Sequence, residues 1–191
     1  MPINKILSSR RARAAIAAVV AACVSGYAML PGGVSVGDDV LLASTALVRP
    51  WEGRELRAYR DIVGVVTICD GDTENVHMGM VETPAGCDAR LQKRLTKDFK
   101  PGLQKCVTNY DAKPLSWRAM MISLSYNVGT RAACNSRAAA FGNAGKYHDS
   151  CIAATAFNKA GGKMIAGLVK RREMGDAQRI GEAELCVSGL E

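Results

Sequence analysis

From Ala14 to Gly37 the chain carries no charged residue, and this stretch lies directly behind a basic start. Lys5, Arg10, Arg11 and Arg13 precede it without a single acid. A basic end followed by an uncharged apolar run is the layout of an export signal or a membrane anchor, so the remainder folds outside the cytoplasm. The run is a weak anchor. Its uninterrupted part, Ala14 to Leu30, is 17 residues, about 25 Å of helix against a hydrocarbon core of about 30 Å. Thirteen of the 24 residues from Ala14 to Gly37 are Ala, Gly or Ser, which contribute little to insertion. Pro31-Gly32-Gly33 stops the helix. Three fates stay open: cleavage as a signal peptide, lipidation at Cys23 within Val20-Ala21-Ala22-Cys23, or retention as an anchor that later slips out of the membrane.

The cysteines agree with that compartment. Cys69, Cys87, Cys106, Cys134, Cys151 and Cys186 are dispersed through the body, with no CxxC pair and no zinc-type spacing. Six dispersed cysteines predict three structural disulfides in an oxidising environment. They allow fifteen pairings; Cys69–Cys87 is the first to expect, because its loop is short and spans a predicted hairpin.

The body, residues 38–191, is long enough for one domain with a core of its own. Hydrophobic residues make up 48% and charged residues 23%, which argues against wholesale disorder. The formal net charge is +7, four of it in the first 13 residues. A mildly basic body suits an anionic polymer without saying which one. A helix should run from Asp38-Asp39 through Val40, Leu41, Leu42, Leu47 and Val48 to near Pro50. Another, amphipathic, should run from Pro84 to Phe99, with Lys93, Arg94, Lys97 and Lys100 as its solvated face. Ser116 is placed to cap a third, whose apolar side includes Trp117, Met120, Met121 and Leu124.

Between these helices, Glu52 sits beside apolar Trp51 at a helix end, where burial would keep its carboxyl protonated. Nine residues on, Asp61 lies among Gly and polar residues, where a carboxylate stays ionised. The run Ile62 to Ile68, with Gly64, predicts two short strands about a turn that folds Thr67 back towards Asp61. Two carboxyl groups in unlike surroundings, with a hydroxyl nearby, are the components of glycoside hydrolysis. Asp70, Asp72, Glu74 and His77 lack calcium-loop spacing and read as a solvated acidic loop. His77 and His148 read as surface residues, and Lys170-Arg171-Arg172 as a basic patch towards an anionic wall. No aromatic interleaving or motif marks a nucleic-acid partner.

The spacing Glu52-Gly53-x-x-Leu56-x-x-Tyr59-x-Asp61-x-x-Gly64-x-x-Thr67-Ile68-x-x-Gly71 resembles the active-site signature of phage-type lysozymes, glycoside hydrolase family 24, at nine positions in twenty residues. Residues 115–134, with their Asn-Val-Gly turn, and 161–172, with Glu182 and Cys186 beyond, are similar to later parts of that family. The resemblance implies an α+β, lysozyme-like fold: a mostly helical larger lobe, a small lobe with a β-hairpin, and a cleft between. It implies cleavage of the β-1,4 bond between N-acetylmuramic acid and N-acetylglucosamine in peptidoglycan. Glu52 would be the general acid, and Asp61 with Thr67 would place the attacking water, inverting the anomeric centre. No cofactor, metal, nucleic acid or second subunit is implied; the expected partners are peptidoglycan and, through residues 1–37, the inner membrane. A catalytically weak wall-binding module of the same fold is the alternative. Its support is one departure: Asp70-Gly71-Asp72-Thr73 stands where many members have Tyr-Gly-His-Thr. Two added carboxylates should make Asp61 easier to protonate and move the pH optimum upward.

Overall fold

Ser9 starts the first helix. Its backbone is extended and its hydroxyl accepts from the Ala12 N–H, so α1 (Arg10–Val24) opens with one of its unpaired donors satisfied. The structure is a computed structural model describing residues 2–25, 36–61 and 63–190. Gly26 to Leu30 of the expected anchor span, the Pro31-Gly32-Gly33 stop, and Ile62 of the hairpin run lie outside the described residues. Among the described residues no helix is long and apolar enough to cross a membrane. Instead α1 lies on the body against α2 (Asp38–Leu42) and α10 (Glu182–Ser188), with Ala12 and Val19 buried.

The arm before α1 is tied down through two buried glutamates. Glu173 accepts from the backbone N–H groups of Ile3 (2.7 Å) and Asn4 (2.9 Å) and from Asn4 Nδ2 (2.7 Å). Glu184 accepts from Arg11 Nε (2.7 Å), Arg11 Nη2 (2.8 Å) and Ser9 Oγ (2.6 Å), and also takes the Gly181 N–H at the start of α10. A buried carboxylate needs such partners.

Helix α2 runs on into a π-helical turn, Ala43–Val48, so the helix expected from Asp38 to near Pro50 is present. Asp39, fully buried, accepts from Lys100 Nζ at 3.1 Å and lies 3.0 Å from Arg118 Nη1. Helix α3 (Pro84–Arg94) has Thr83 as its cap and Pro84 at its first position; it continues through a π-helical turn, Leu95–Phe99, into α4 (Lys100–Cys106). Lys93 and Lys97 are exposed as expected, whereas Arg94 and Lys100 are partly buried. Lys100 serves Asp39, and Arg94 pairs with Asp98 at 2.7 Å.

Helix α5 (Leu115–Val128) is the centre of the large lobe: every residue from Ser116 to Ser125 is buried. It packs against α2, α6 (Thr130–Cys134) and α10. Pro114, not Ser116, precedes it; Ser116 instead donates its Oγ proton to the Cys186 carbonyl, because the helix start is buried against α10. On the far side lie α7 (Arg137–Asn143) and α8 (Tyr147–Ala154). Gly142 lets α7 approach the Trp117 ring, since a Cβ there would come within 2.1 Å of Cζ2. Trp117 Nε1 donates to Ser150 Oγ at 2.6 Å. A two-residue hairpin, β3 (Lys159–Ala160) and β4 (Lys163–Met164), leads into α9 (Ala166–Arg172).

The small lobe has its own core: Ile68, Cys69 and Cys87, packed by Leu56, Ala58, Val76 and Met80. Antiparallel strands β1 (Glu55–Arg60) and β2 (Val66–Cys69) pair Tyr59 with Thr67 and Arg60 with Val66. The first strand of the hairpin therefore lies wholly before the expected run, and Val63 and Gly64 belong to the turn. The larger helical lobe with a small β-hairpin lobe is the α+β class expected. The disulfides are Cys69–Cys87, Cys106–Cys134 and Cys151–Cys186, and Cys23 is free.

Candidate active site

The hairpin turn is organised by Asp61. Its Oδ1 accepts from the backbone N–H groups of Val63 (3.0 Å) and Val65 (2.9 Å), and its own N–H donates to the Val65 carbonyl at 3.0 Å. A short acidic side chain folding onto the backbone ahead of it favours such a turn, and Gly64 supplies the φ of +84° it requires. Thr67, buried on β2, donates its hydroxyl to the same Val65 carbonyl at 3.2 Å. Asp61 and Thr67 thus meet at the peptide groups of Val65.

Glu52 sits elsewhere, just past the π-helical turn after α2, where its N–H donates to the Val48 carbonyl. Trp51 does not wall it off: the indole N–H donates to the Ile180 carbonyl at 2.8 Å, and the Arg179 guanidinium lies 3.9 Å above the ring. The Glu52 side chain is 25% exposed and accepts from Arg171 Nη1 at 2.8 Å. A guanidinium, rather than the expected apolar surface, is its neighbour.

Arg171 is the first rung of a buried ladder. Its Nε lies 3.4 Å from Glu182 Oε1. Glu182 also accepts from Ser123 Oγ (2.7 Å) and Arg172 Nη1 (2.5 Å), while Arg172 donates through Nη2 to Asn127 Oδ1 and through Nε to the Phe157 carbonyl. Two carboxylates and two guanidiniums balance in charge, which makes burial tolerable. Helix α9 therefore leaves only Lys170 of Lys170-Arg171-Arg172 in solvent; the other two turn inward. The expected wall-facing patch is corrected to a support for Glu52.

A second correction concerns the acidic loop. Asp70 and Asp72 are 2% and 7% exposed, not solvated. The chain turns tightly from Ile68 to Asp72, with both backbone bonds between those residues at 2.9 Å. Gly71 takes φ +95° at the turn. Arg54 grips Asp70 with Nε (3.0 Å) and Nη2 (2.5 Å), and also reaches Asp88 (2.8 Å) and the Pro84 carbonyl (3.1 Å). Asp72 accepts from Arg90 at 2.8 Å, with Arg94 at 3.7 Å. Arginines thus answer both carboxylates and rivet the hairpin to α3. Tyr126 donates to the Asp70 carbonyl at 2.6 Å; burial, then the charges of Glu52 and Asp70, push its phenol well above the usual tyrosine range.

Between the lobes lies a cavity of about 270 Å³ whose lining includes Glu52, Asp70, Asp72, Arg94 and Tyr126. Asp61 and Thr67 are not part of that lining, and among the described residues no hydrogen bond joins either to Glu52. The structure therefore lines the cleft with Glu52, oriented by Arg171, and with Asp70 and Asp72, each held by an arginine, and it sets Asp61 apart on the hairpin turn. The supporting Arg171, Arg172 and Asn127 had no marker in the sequence beyond their place in segments similar to the family.

The phage lysozyme family model matches residues 49–175. The SAR-endolysin of Enterobacteria phage P21 is 31% identical over 162 residues, covering 80% of this chain and 90% of its own length. The SAR-endolysin of Pseudomonas phage phiKMV is 35% identical over 138 residues, covering 69% of this chain and 82% of its own. Among solved structures, the endolysin from Escherichia coli O157:H7 phage FAHEc1 superposes with a TM-score of 0.62 at 27% identity, covering 82% of this chain and 95% of that one. With the two-lobed fold, the cleft carboxyl groups and these matches, the chain belongs to the phage lysozyme family.

Proposed function

We propose that this protein is an exported muramidase that cleaves the β-1,4 bond between N-acetylmuramic acid and N-acetylglucosamine with inversion. The observation that carries the reading is Glu52 in the cleft, its Oε1 held by Arg171 and so by the buried ladder behind it. A general acid must be aimed as well as protonated, and a guanidinium fixing one oxygen leaves the other to deliver the proton to the leaving glycosidic oxygen. Asp61, fixed by the turn, and the Thr67 hydroxyl would place and activate the water on the opposite face, as inverting glycosidases require. No cofactor takes part.

The export reading gives the protein a periplasmic site of action, tethered first to the inner membrane by residues 14–30 and later freed. Relatives named SAR-endolysin support it, as does the arm's own chemistry: an uncharged, weakly apolar run from Ala14 to Gly37 behind a basic start whose polar groups find partners on the body. The wall-binding alternative rested on Asp70 and Asp72, and Arg54 and Arg90 account for those residues as structural ion pairs.

Purified protein incubated with peptidoglycan tests the assignment. New reducing ends should be muramic acid, formed with inverted anomeric configuration. Glu52→Gln should lose at least about 100-fold in rate with an unchanged melting curve. Near-normal lysis by that variant would overturn the assignment.

A further inference from the structure

Helix α1 is apolar on the side that faces away from the body as well as on the side that packs. At 3.6 residues per turn, Arg10, Arg13, Ala14, Ala17, Val20, Ala21 and Val24 fall in one sector of about 120°, and all seven are exposed. Val20 is 44% and Val24 85% exposed. A helix on the surface of a soluble domain normally turns charged and polar residues outward. Here the outward stripe, about 21 Å long, has its charges, Arg10 and Arg13, in the first turn only. The arm leading into it exposes Ile3 and Leu7 on either side of Lys5.

We infer that this outward face adsorbs to an anionic bilayer surface, with α1 lying in the interface while it stays docked on the body. The charge pattern selects that occupant. Valines towards the end of the stripe would sink below the headgroups, and Lys5, Arg10 and Arg13 at its start would remain among the phosphates, the arrangement of an interfacial helix. A second copy fits poorly: a two-fold pairing that ran the stripes antiparallel would set Arg10 against Val24 and press together two chains of formal charge +7. Crossing the bilayer does not fit this conformation either, since 15 residues span only about 22 Å and the inner face is committed to α2 and α10. The inference rests on docked α1 and does not depend on hydrolysis.

The test is flotation of the full chain, its intact N-terminus verified by mass, with vesicles of phosphatidylglycerol and phosphatidylcholine. The protein should float with mixed vesicles at low salt, and stay behind with pure phosphatidylcholine or after washing in high salt. Lys5→Gln with Arg10→Gln should weaken binding about 25-fold, at about 1 kcal/mol per cation near an anionic surface. Val20→Gln with Val24→Gln should abolish flotation. Both double variants should digest isolated peptidoglycan as the parent does, which separates a failed surface from a failed enzyme. Absence of flotation, flotation unchanged in either variant, resistance to alkaline carbonate extraction, or a dimer lost in the valine variant would each overturn it.

Discussion

Removing Arg54 should unfold the small lobe more readily than removing the carboxylate it holds. Asp70 is 2% exposed and Arg54 18%, with two contacts between them at 3.0 and 2.5 Å. Arg54→Ala leaves a buried carboxylate without a countercharge, a loss of about 3 kcal/mol, the low end for a broken buried pair. Asp70→Asn costs only about 1 kcal/mol, because Arg54 keeps Asp88 at 2.8 Å and the Pro84 carbonyl at 3.1 Å. For a chain of this size those losses lower the melting temperature by about 6–12 °C and about 2–4 °C. Combining Arg54→Met with Asp70→Leu should recover most of the difference, since an apolar pair of similar volume replaces a buried ion pair at little cost. Circular dichroism melts of the three variants are the assay. Equal losses for Arg54→Ala and Asp70→Asn, or a double variant no better than Arg54→Ala alone, would refute the clamp.

Thiol labelling of the native, oxidised protein should modify Cys23 alone, and reduction should cost about 2–4 kcal/mol for each bridge opened. Asp61→Asn should keep the turn, because the amide oxygen can still accept from Val63 and Val65, while wall hydrolysis falls; an unaltered rate would remove Asp61 from the mechanism. Tyr110 and Tyr126 are both raised above their ordinary value, chiefly by burial. Their unfolded forms ionise first, so the stability they confer is complete below about pH 10 and drains away above it. Absorbance at 295 nm should show these phenols ionising only with global unfolding, and Tyr126→Phe should soften that alkaline limb.

Local signals carried the sequence reading as far as local physics reaches. Pro84 and the spacing of Leu91, Leu95 and Phe99 mark the start and extent of the helical run from Pro84 to Phe99, α3 with its π-helical turn, because periodicity acts within a few residues. Cys69 and Cys87 pair as expected because the hairpin turns the chain back over a short loop. What stayed hidden depends on partners far along the chain. Arg171 and Arg172 read as a surface patch because nothing beside them reveals Glu52, 119 residues away, or Glu182. Asp70 and Asp72 read as a solvated loop because Arg54 and Arg90 lie 16 and 18 residues away, beyond any periodic pattern. Buried charge is invisible to hydropathy: both members of a pair look like surface residues until the fold joins them.

The N-terminal arm follows the same rule from the opposite direction. An apolar, Ala-rich segment needs no specific partner in a bilayer, but on leaving it must find surface to cover and donors to satisfy. The body meets both needs. Ala12 and Val19 enter the main core, while Glu173 and Glu184, both buried, accept from Ile3, Asn4, Ser9 and Arg11. With the arm withdrawn, Glu173 loses the donors from Ile3 and Asn4, and Glu184 keeps the Gly181 N–H but loses its countercharge. Solvent would have to reach both, which loosens the segment between α9 and α10. That segment follows directly on Arg172, next to Arg171, the residue that holds Glu52. Glu184→Ala should therefore disturb more than the arm. Protection of amide hydrogens should fall across residues 173–184, and the rate of wall hydrolysis should fall with it through a lower kcat at unchanged KM. A variant that frees the arm to proteolysis yet leaves kcat intact would show the two ends of this polar chain to be uncoupled.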